Sequence, residues 1–159
     1  MASRFVQRFG EPMAMPAALG LTHCFPTPAA IAAQDPNEIA ALGIIGKRAR
    51  TIQQLAQAIA SGALELAPGA PVPPALRALT SIAGIGDWTA QYIAMRALRW
   101  PDAFPAADLG VMKGLGVKTA AQATRASQDW RPWRAYAVMH LWERLGATAP
   151  AVESNPTKE

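Results

Sequence analysis

The residues that could do chemistry lie in three stretches in the second half of the chain. Gly84-Ile85-Gly86 precedes a segment that carries Trp88 and Tyr92, a Pro-containing loop ends at Asp108, and Trp142 lies in the last apolar segment. Side chains at positions i and i+4 share one face of a helix, so the first two rings are expected to be neighbours. A carboxylate can stabilise developing positive charge or activate water, and aromatic faces attract cations.

Gly84-Ile85-Gly86 predicts a very tight turn between two helical segments. Glycine adopts positive φ angles and lets another backbone come close, while Ile85 would anchor the turn in the core. Backbone N–H groups at the start of the second helix then point outward and can hold an anion. The pattern indicates a helix-hairpin-helix that binds a DNA phosphate. An ordinary corner between two helices stays an alternative, because short glycine motifs often occur by chance.

The elements that must position these groups are short helices. Apolar residues recur at helical spacing, and no stretch alternates with period two for long enough to predict a strand. We therefore expect an all-α fold of about eight to ten short helices. Residues 67–74 read as a linker, and residues 146–159 as a disordered tail behind a core of residues 1–145. The predicted helices span 2–9, 28–33, 36–42, 47–60, 111–115, 119–130 and 133–145, with the hairpin at 75–98 and a Gly/Pro/Asp loop at 100–110.

Two helix starts in the first half of the chain carry capping signals. Thr27-Pro28 and Asp35-Pro36 each combine an N-cap side chain with proline at the first helical position. Glu38 follows Asp35 by three residues, as in a capping box. These signals predict two short helices ahead of the hairpin.

Gly43-Ile44-Ile45-Gly46 weakly resembles the central glycine turn. The helix predicted to follow it begins with three cations, Lys47, Arg48 and Arg50. Cations at a helix N-terminus oppose the helix dipole, so local helix stability does not explain them. A neighbouring phosphate would explain them. A solvated basic face without any ligand is an equally good interpretation of this pattern.

Composition limits the classes of function. The chain has 159 residues, and 15 basic against 11 acidic side chains give a net charge of +4, which favours a polyanionic partner without proving one. The single cysteine, Cys24, excludes an internal disulfide and a cysteine-based metal cluster, and it is expected to be a small buried residue. No apolar run reaches the ~18 residues of a membrane span and no signal peptide is visible, so we expect a cytoplasmic protein.

Three features follow one another in order: the hairpin, the loop ending in Asp108, and Trp-Arg-Pro-Trp-Arg-x-Tyr-Ala-x-x-His-x-Trp from Trp130 to Trp142. This order resembles the helix-hairpin-helix–Gly/Pro/Asp superfamily of DNA glycosylases, and within it the bacterial alkylpurine-DNA glycosylase branch, 3-methyladenine-DNA glycosylase II. The resemblance covers about residues 4 to 145, and several motifs in one order are more specific than any one alone. Family members carry an upstream antiparallel β-lobe that has no counterpart here, so the chain looks like the C-terminal portion of a longer enzyme.

The resemblance implies base-excision repair of double-stranded DNA that contains alkylated bases, at the nucleoid. The enzyme, expected to be a monomer, would hydrolyse the bond between an alkylated purine such as 3-methyladenine and deoxyribose after the base has left the stack. Asp108 matches the acid that closes the family's loop and would stabilise the positive charge that grows on the sugar. The alternative is that Asp108 only caps the next helix, and both roles can hold together.

Trp88, Tyr92 and Trp142 match aromatic residues of the family's base pocket, where they would bind a cationic lesion base. Core packing is the alternative for each of them. Bifunctional members of the superfamily carry a catalytic lysine at the position of Trp88, and its amine forms a Schiff base with the sugar. Tryptophan has no such amine, so the resemblance implies a monofunctional glycosylase that leaves an abasic site.

The resemblance also implies the DNA and ion contacts. No cofactor is expected apart from a structural Na⁺ or K⁺ ion, which the backbone carbonyls of Thr80, Ile82 and Ile85 would bind. Phosphate contacts position a protein without reading sequence, so DNA binding should weaken steeply with salt. The residues expected to contact DNA are Gly84, Ile85, Gly86, Thr89, Lys47, Arg48 and Arg50.

Four other residues are given no catalytic role. Asp102 is expected at the surface, Trp130 and Trp133 are assigned to packing, and His140 is expected to be a structural histidine. Two other functions stay open. One is a helix-hairpin-helix fragment that binds DNA without catalysis, and the other is a helical domain with no role in DNA binding.

Overall fold

The computed structural model describes residues 1–13 and 22–147, and this part of the chain is built from helices. Its β-structure consists of one isolated bridge between Pro12 and His23. The expected all-α fold is therefore confirmed. The helices are α1 Ala2–Phe9, α2 Pro28–Ala32, α3 Pro36–Ala40, α4 Gly46–Ala60, α5 Val72–Ser81, α6 Asp87–Arg96, α7 Leu109–Leu115, α8 Ala120–Ala126 and α9 Arg134–Ala147, with a 3-10 turn at Gln128–Trp130.

The predicted N-caps of α2 and α3 are confirmed. The side chains of Thr27 and Asp35 each accept a hydrogen bond from a backbone N–H in the first turn of their helix. Glu38 does not complete a capping box, because its carboxylate accepts a hydrogen bond from Arg8 at 3.0 Å instead. This ion pair ties α1 to α3 across the surface.

Several helix boundaries differ from their predictions. The first helix of the hairpin begins at Val72 and not at residue 75, because prolines fit the first turn of a helix, where N–H groups have no intrahelical acceptor. The predicted helix at 119–130 is divided into α8 and the 3-10 turn. The last helix continues to Ala147. Residues 148–159 of the predicted tail lie outside the described residues.

Three apolar clusters hold the helices together, and α6 lies between two of them. The first cluster packs Phe5 and Ile39 among α1 to α4, and the second packs Leu79 of α5 against α6. The third joins α7, α8 and α9 around the fully buried Val138. Met95 of α6 packs against both the second and the third cluster, so this helix is held from two sides.

Burial contradicts the predictions for Cys24, Trp133 and His140, and also that for Asp102, which is described with the site. Cys24 is exposed and not buried. Trp133 is 57% exposed, whereas Trp130 does pack against the third cluster. The side chain of His140 is also largely exposed and lies 3.8 Å from Glu143, so it is not a structural histidine. Trp133 precedes the first residue of α9, where the residue type alone does not show which side faces the core, and for His140 a helical repeat shows which residues share a face but not which face is buried.

No helix among the described residues combines the length and the apolar character that crossing a membrane requires.

Candidate active site

Asp108 is the residue on which the candidate site converges. It is the N-cap of α7, and its Oδ1 accepts a hydrogen bond from the backbone N–H of Val111 at 2.8 Å. The indole Nε1–H of Trp142 donates to the same oxygen at 2.9 Å, and that of Trp88 donates to Oδ2 at 2.7 Å. One carboxylate thus caps a helix and contacts two of the predicted pocket residues.

The surroundings of Asp108 keep its carboxylate charged. Partial burial by itself raises the pKa, but hydrogen bonds from Trp142, from the backbone of Val111, from Trp88 and from the backbone of Gly110 outweigh it, so the pKa of Asp108 lies below its ordinary value. All of these donors are neutral, and the ion pairs among the described residues do not include Asp108. The negative charge is therefore stabilised without being neutralised by a cation.

The three predicted aromatic residues form one wall beside Asp108. The rings of Trp88 and Tyr92 on α6 are stacked, with centroids 5.5 Å apart and planes at 6°. The ring of Tyr92 lies 6.1 Å from that of Trp142 on α9, tilted by 43°. Trp88 and Tyr92 are 42% and 37% exposed, so core packing does not account for them, whereas Trp142 also packs against the third apolar cluster.

Two glycines of α7 make room for this wall. A Cβ at Gly110 would lie 3.2 Å from Cδ1 of Trp142 and 3.0 Å from Oδ1 of Asp108. A Cβ at Gly114 would come within 2.8 Å of Cδ2 of Leu141. Both glycines therefore let α7 and α9 approach each other closely. Their spacing of four residues is visible in the sequence, but nothing local to it identifies the partner helix.

The predicted tight turn lies between α5 and α6, and its two glycines differ. Gly84 has φ +94°, and a Cβ there would overlap Oγ1 of Thr51 on α4, which donates to the carbonyl of Ala83 at 2.7 Å. Gly86 has φ −87° and open space around it. Ile85 is buried, as predicted. The backbone therefore requires glycine at position 84 and tolerates a side chain at position 86.

The basic start of α4 lies beside this turn. Lys47, Arg50 and Thr51 line a cavity of about 340 Å³ whose wall includes Gly84. Arg48 lines a second cavity, of about 260 Å³, whose wall also includes Gly84. The three predicted DNA-contacting cations thus share one surface with the glycine turn. Their neighbourhood depends on the packing of α4 against the hairpin, which Thr51 helps to fix.

The first turn of α6 offers backbone N–H groups next to the same glycine turn. Gly86 is its N-cap and contributes no capping side chain, and the first intrahelical bond runs from the N–H of Ala90 to the carbonyl of Gly86 at 3.0 Å. The N–H groups of residues 87–89, including Thr89, therefore lack intrahelical acceptors. Asp87 adds a negative charge in this turn.

Asp102 is not a surface residue, contrary to its prediction. It is 6% exposed, and its carboxylate accepts hydrogen bonds from Arg134 Nε at 2.6 Å, Arg134 Nη2 at 2.8 Å and Arg131 Nη1 at 2.7 Å. A buried charge needs a partner, and two guanidinium groups supply it. Asp102 and Arg134 are 32 positions apart, so no local pattern reveals the pair.

The chain is similar to proteins that act in DNA repair. It is 39% identical over 123 residues to DNA-3-methyladenine glycosylase 2 of Escherichia coli, covering 77% of this chain and 44% of that protein. It is 41% identical over 148 residues to a probable bifunctional transcriptional activator/DNA repair enzyme AlkA of Mycobacterium tuberculosis, covering 91% of this chain and 29% of that protein. The chain thus spans less than half of the length of these two curated relatives.

A solved structure supports the same assignment. The 3-methyladenine DNA glycosylase of Schizosaccharomyces pombe, in complex with abasic DNA, superposes with a TM-score of 0.64 at 27% identity over 75% of this chain and 63% of that one. The model of the HhH-GPD superfamily, described as base excision DNA repair protein, matches residues 1–129. With the hairpin, the loop and Asp108 in place, the chain belongs to the HhH-GPD superfamily of base excision DNA repair proteins.

Proposed function

We propose that this chain forms the catalytic part of a monofunctional DNA glycosylase, which hydrolyses the N-glycosidic bond of alkylated purines of the 3-methyladenine type flipped out of duplex DNA. One observation carries the proposal. Asp108 keeps a stabilised but uncompensated negative charge beside an exposed aromatic wall, and α6 joins that wall to the glycine turn. Charge, ring faces and phosphate-binding N–H groups thus lie on connected elements.

The carboxylate of Asp108 suits a reaction in which positive charge develops on a sugar. As the bond to the base breaks, the sugar approaches an oxocarbenium ion, and a fixed negative charge nearby stabilises it. Water then adds to the sugar carbon and loses a proton, and Asp108 can orient this water or accept the proton. The lowered pKa keeps Asp108 ionised at neutral pH, where both roles need the charged form.

The aromatic wall suits a cationic base. An alkylated purine such as 3-methyladenine is positively charged, and aromatic faces attract a desolvated cation by up to ~2 kcal/mol. Trp88 and Tyr92 are already stacked and partly exposed, so they are prepared to receive a ring. A neutral normal base gains stacking energy alone at this wall. The difference between the two favours the alkylated base.

Trp88 also limits the chemistry. A lyase reaction needs an amine that attacks the sugar. The indole of Trp88 has no such amine, and its Nε1–H is engaged with Asp108 at 2.7 Å. We therefore infer hydrolysis that leaves an abasic site without strand cleavage.

The glycine turn and the basic start of α4 form the proposed DNA contact. N–H groups of the first turn of α6 would hold one phosphate, and the cations beside Gly84 would neutralise neighbouring phosphates. Such contacts make affinity fall steeply with salt concentration. The residues proposed to contact DNA are Gly84, Ile85, Gly86, Thr89, Lys47, Arg48 and Arg50.

The hairpin also suits a monovalent cation. Backbone carbonyls are suitable ligands for Na⁺ or K⁺, and Thr80 lies in the last turn of α5, where helix carbonyls lack intrahelical partners. Together with the carbonyls of Ile82 and Ile85 it would bind the ion, which would fix the turn.

The proposed substrate also suggests where and in what form the protein acts. A DNA repair enzyme works at the nucleoid in the cytoplasm, and one Asp108 with its aromatic wall needs no second copy of the chain to complete it. We therefore propose a monomer that acts on chromosomal DNA.

The test is to incubate the chain with duplex DNA that contains 3-methyladenine and to measure the free base. We expect base release that requires Asp108 and leaves alkali-sensitive but unbroken strands. Binding of DNA without base release would instead identify a non-catalytic DNA-binding module. Release at the same rate from Asp108→Asn would show that another group performs the chemistry.

A further inference from the structure

The loop between α6 and α7 is attached to α9 and to α6, the two helices that carry the indoles bound to Asp108. Resting on the proposed function, we propose that two sets of positioning residues share this task. The ion pair of Asp102 with Arg134 sets Trp142 against Asp108. Gln91 sets Trp88 against it.

The first attachment joins the loop to the start of α9. Arg134 is the first residue of α9, and its guanidinium group donates to both carboxylate oxygens of Asp102 and, through Nη2, to the carbonyl of the same residue at 3.0 Å. The N–H of Ala135 donates to the carbonyl of Pro101 at 2.9 Å. Trp142 lies eight residues farther along the same rigid helix, about 12 Å at 1.5 Å per residue.

The second attachment joins the loop to α6. The side-chain oxygen of Gln91 accepts a hydrogen bond from the backbone N–H of Phe104 at 3.0 Å. Gln91 lies on α6 three residues after Trp88, so it fixes the loop one turn from the indole that reaches Asp108. The ring of Phe104 is buried and lies 5.4 Å from the Cζ atom of Arg134, so the two attachments meet at this residue.

The four residues after Phe104 transmit its position to Asp108. The N–H of Ala106 donates to the carbonyl of Phe104, and the N–H of Asp108 donates to the carbonyl of Pro105, both at 2.9 Å. Pro105 is fully buried. A shift of the loop at either attachment therefore moves the carboxylate relative to one of its indole donors.

Orientation explains this buried ion pair better than stability does. Two charges removed from water lose hydration, and replacing such a pair by apolar residues of similar volume is often neutral or stabilising. The forked guanidinium group, in contrast, fixes distance and angle at once. The pair therefore holds the loop in one orientation against α9, which apolar packing alone would not specify.

Indole N–H signals in NMR spectra of the ¹⁵N-labelled chain test the proposal. The five tryptophans give five indole signals, and Trp88→Phe and Trp142→Phe assign the two that contact Asp108. In the double variant Asp102→Leu/Arg134→Met we expect the Trp142 signal to lose its hydrogen-bond shift while the Trp88 signal keeps its position. In Gln91→Met we expect the Trp88 signal to lose its hydrogen-bond shift while the Trp142 signal keeps its position.

Two further variants make the test decisive. Arg134→Lys keeps the charge but loses the fork, so it should move the Trp142 signal even if the double variant does not fold. Arg131→Ala removes a contact to the same carboxylate from a side chain that is 51% exposed and precedes α9, so both signals should stay in place. Unchanged signals in all variants, or equal shifts of both signals in each, would overturn the proposal.

The NMR test needs neither DNA nor catalysis, so it separates this inference from the proposed function. If base release is measured, Arg134→Lys should lower kcat about tenfold to a hundredfold and leave KM nearly unchanged, because misplaced groups slow chemistry more than binding. If the parent chain releases no base but the variants show the selective indole shifts, the proposed function is rejected and the positioning roles stand. If the parent chain releases the base but the indole signals do not shift selectively, only the positioning roles are rejected.

Discussion

Asp102 and Asp108 are carboxylates of one loop, and the protein surrounds them in opposite ways. Asp102 is buried and bound by the guanidinium groups of Arg131 and Arg134. Asp108 is partly buried and bound by two indole N–H groups and a backbone N–H. Each oxygen of both carboxylates accepts a hydrogen bond, but only Asp102 is neutralised by cations.

The difference is the one expected between a structural charge and a reactive one. Two guanidinium groups already balance the negative charge of Asp102, so this carboxylate attracts a further cation only weakly. It serves to join segments of the chain. A carboxylate held by neutral dipoles keeps its full negative charge while its pKa is lowered. A site that must stabilise positive charge in a substrate needs the second arrangement.

The largest expected effect is the loss of chemistry on changing Asp108. Asp108→Asn should lower the rate of base release by about a hundredfold to ten-thousandfold, because the charge proposed to face the sugar is lost. The unfolding free energy should fall by only about 1 kcal/mol, since an amide oxygen can still accept the N–H groups of the cap. Single-turnover base release and urea denaturation measure the two quantities. A rate that stays within threefold would remove the distinction between the two carboxylates.

The next effect concerns stability and should appear at Asp102. Asp102→Asn should lower the unfolding free energy by about 3–5 kcal/mol, because it leaves the buried guanidinium group of Arg134 without a counter-charge. Arg131→Ala is the matched control and should cost less than about 1 kcal/mol, since Arg131 is half exposed. Urea denaturation measures both unfolding free energies. Equal losses of unfolding free energy in Asp102→Asn and Arg131→Ala would show that the buried pair with Arg134 contributes no more than the half-exposed pair with Arg131.

A smaller effect tests whether neutral N–H groups hold a charge at the hairpin as they do at Asp108. Gly84→Ala should weaken binding to duplex DNA by about tenfold and lower stability by about 1 kcal/mol or more, because its φ angle and its contact with Thr51 exclude a side chain. Gly86→Ala should leave stability within about 0.5 kcal/mol, since the site has room and an ordinary φ. Fluorescence anisotropy with labelled duplex DNA measures the affinities. Equal affinities of both variants and the parent would place the phosphate elsewhere.

The smallest effect is a change in pH dependence. The folded pKa of Asp108 is depressed, so its ionisation contributes stability that is fully present above the unfolded pKa of about 3.9 and is lost as pH falls through the lower folded pKa. Trp142→Phe removes one donor and should raise the folded pKa of Asp108. The acid limb of kcat/KM should then lie at higher pH than in the parent, with Trp133→Phe, outside the site, as control. An acid limb that does not move would show that the indole does not stabilise the charged form.

Local chemistry made much of the site predictable. The tight turn at Gly84, the N-caps at Thr27 and Asp35, and the common face of Trp88 and Tyr92 all follow from backbone preferences and helical spacing. These features depend on residues within one or two turns of each other, so the chain alone specifies them.

Burial and long-range pairing could not be predicted in the same way. Asp102 was expected at the surface and Trp133 in the core, and the structure shows the opposite for both. A charged residue beside a proline, and a tryptophan just before a helix, have the same local pattern whichever side faces the core. The partners of these residues are set by helix packing and not by sequence spacing.

The sequence by itself determined the helical elements, the glycine turn and the identity of the acid that follows it. Only the tertiary structure decided that two indole N–H groups converge on Asp108, and that Arg134 pairs with Asp102. The physical reason is distance along the chain. Asp108 and Trp142 are 34 positions apart, and the directions of their side chains depend on how α7 packs against α9.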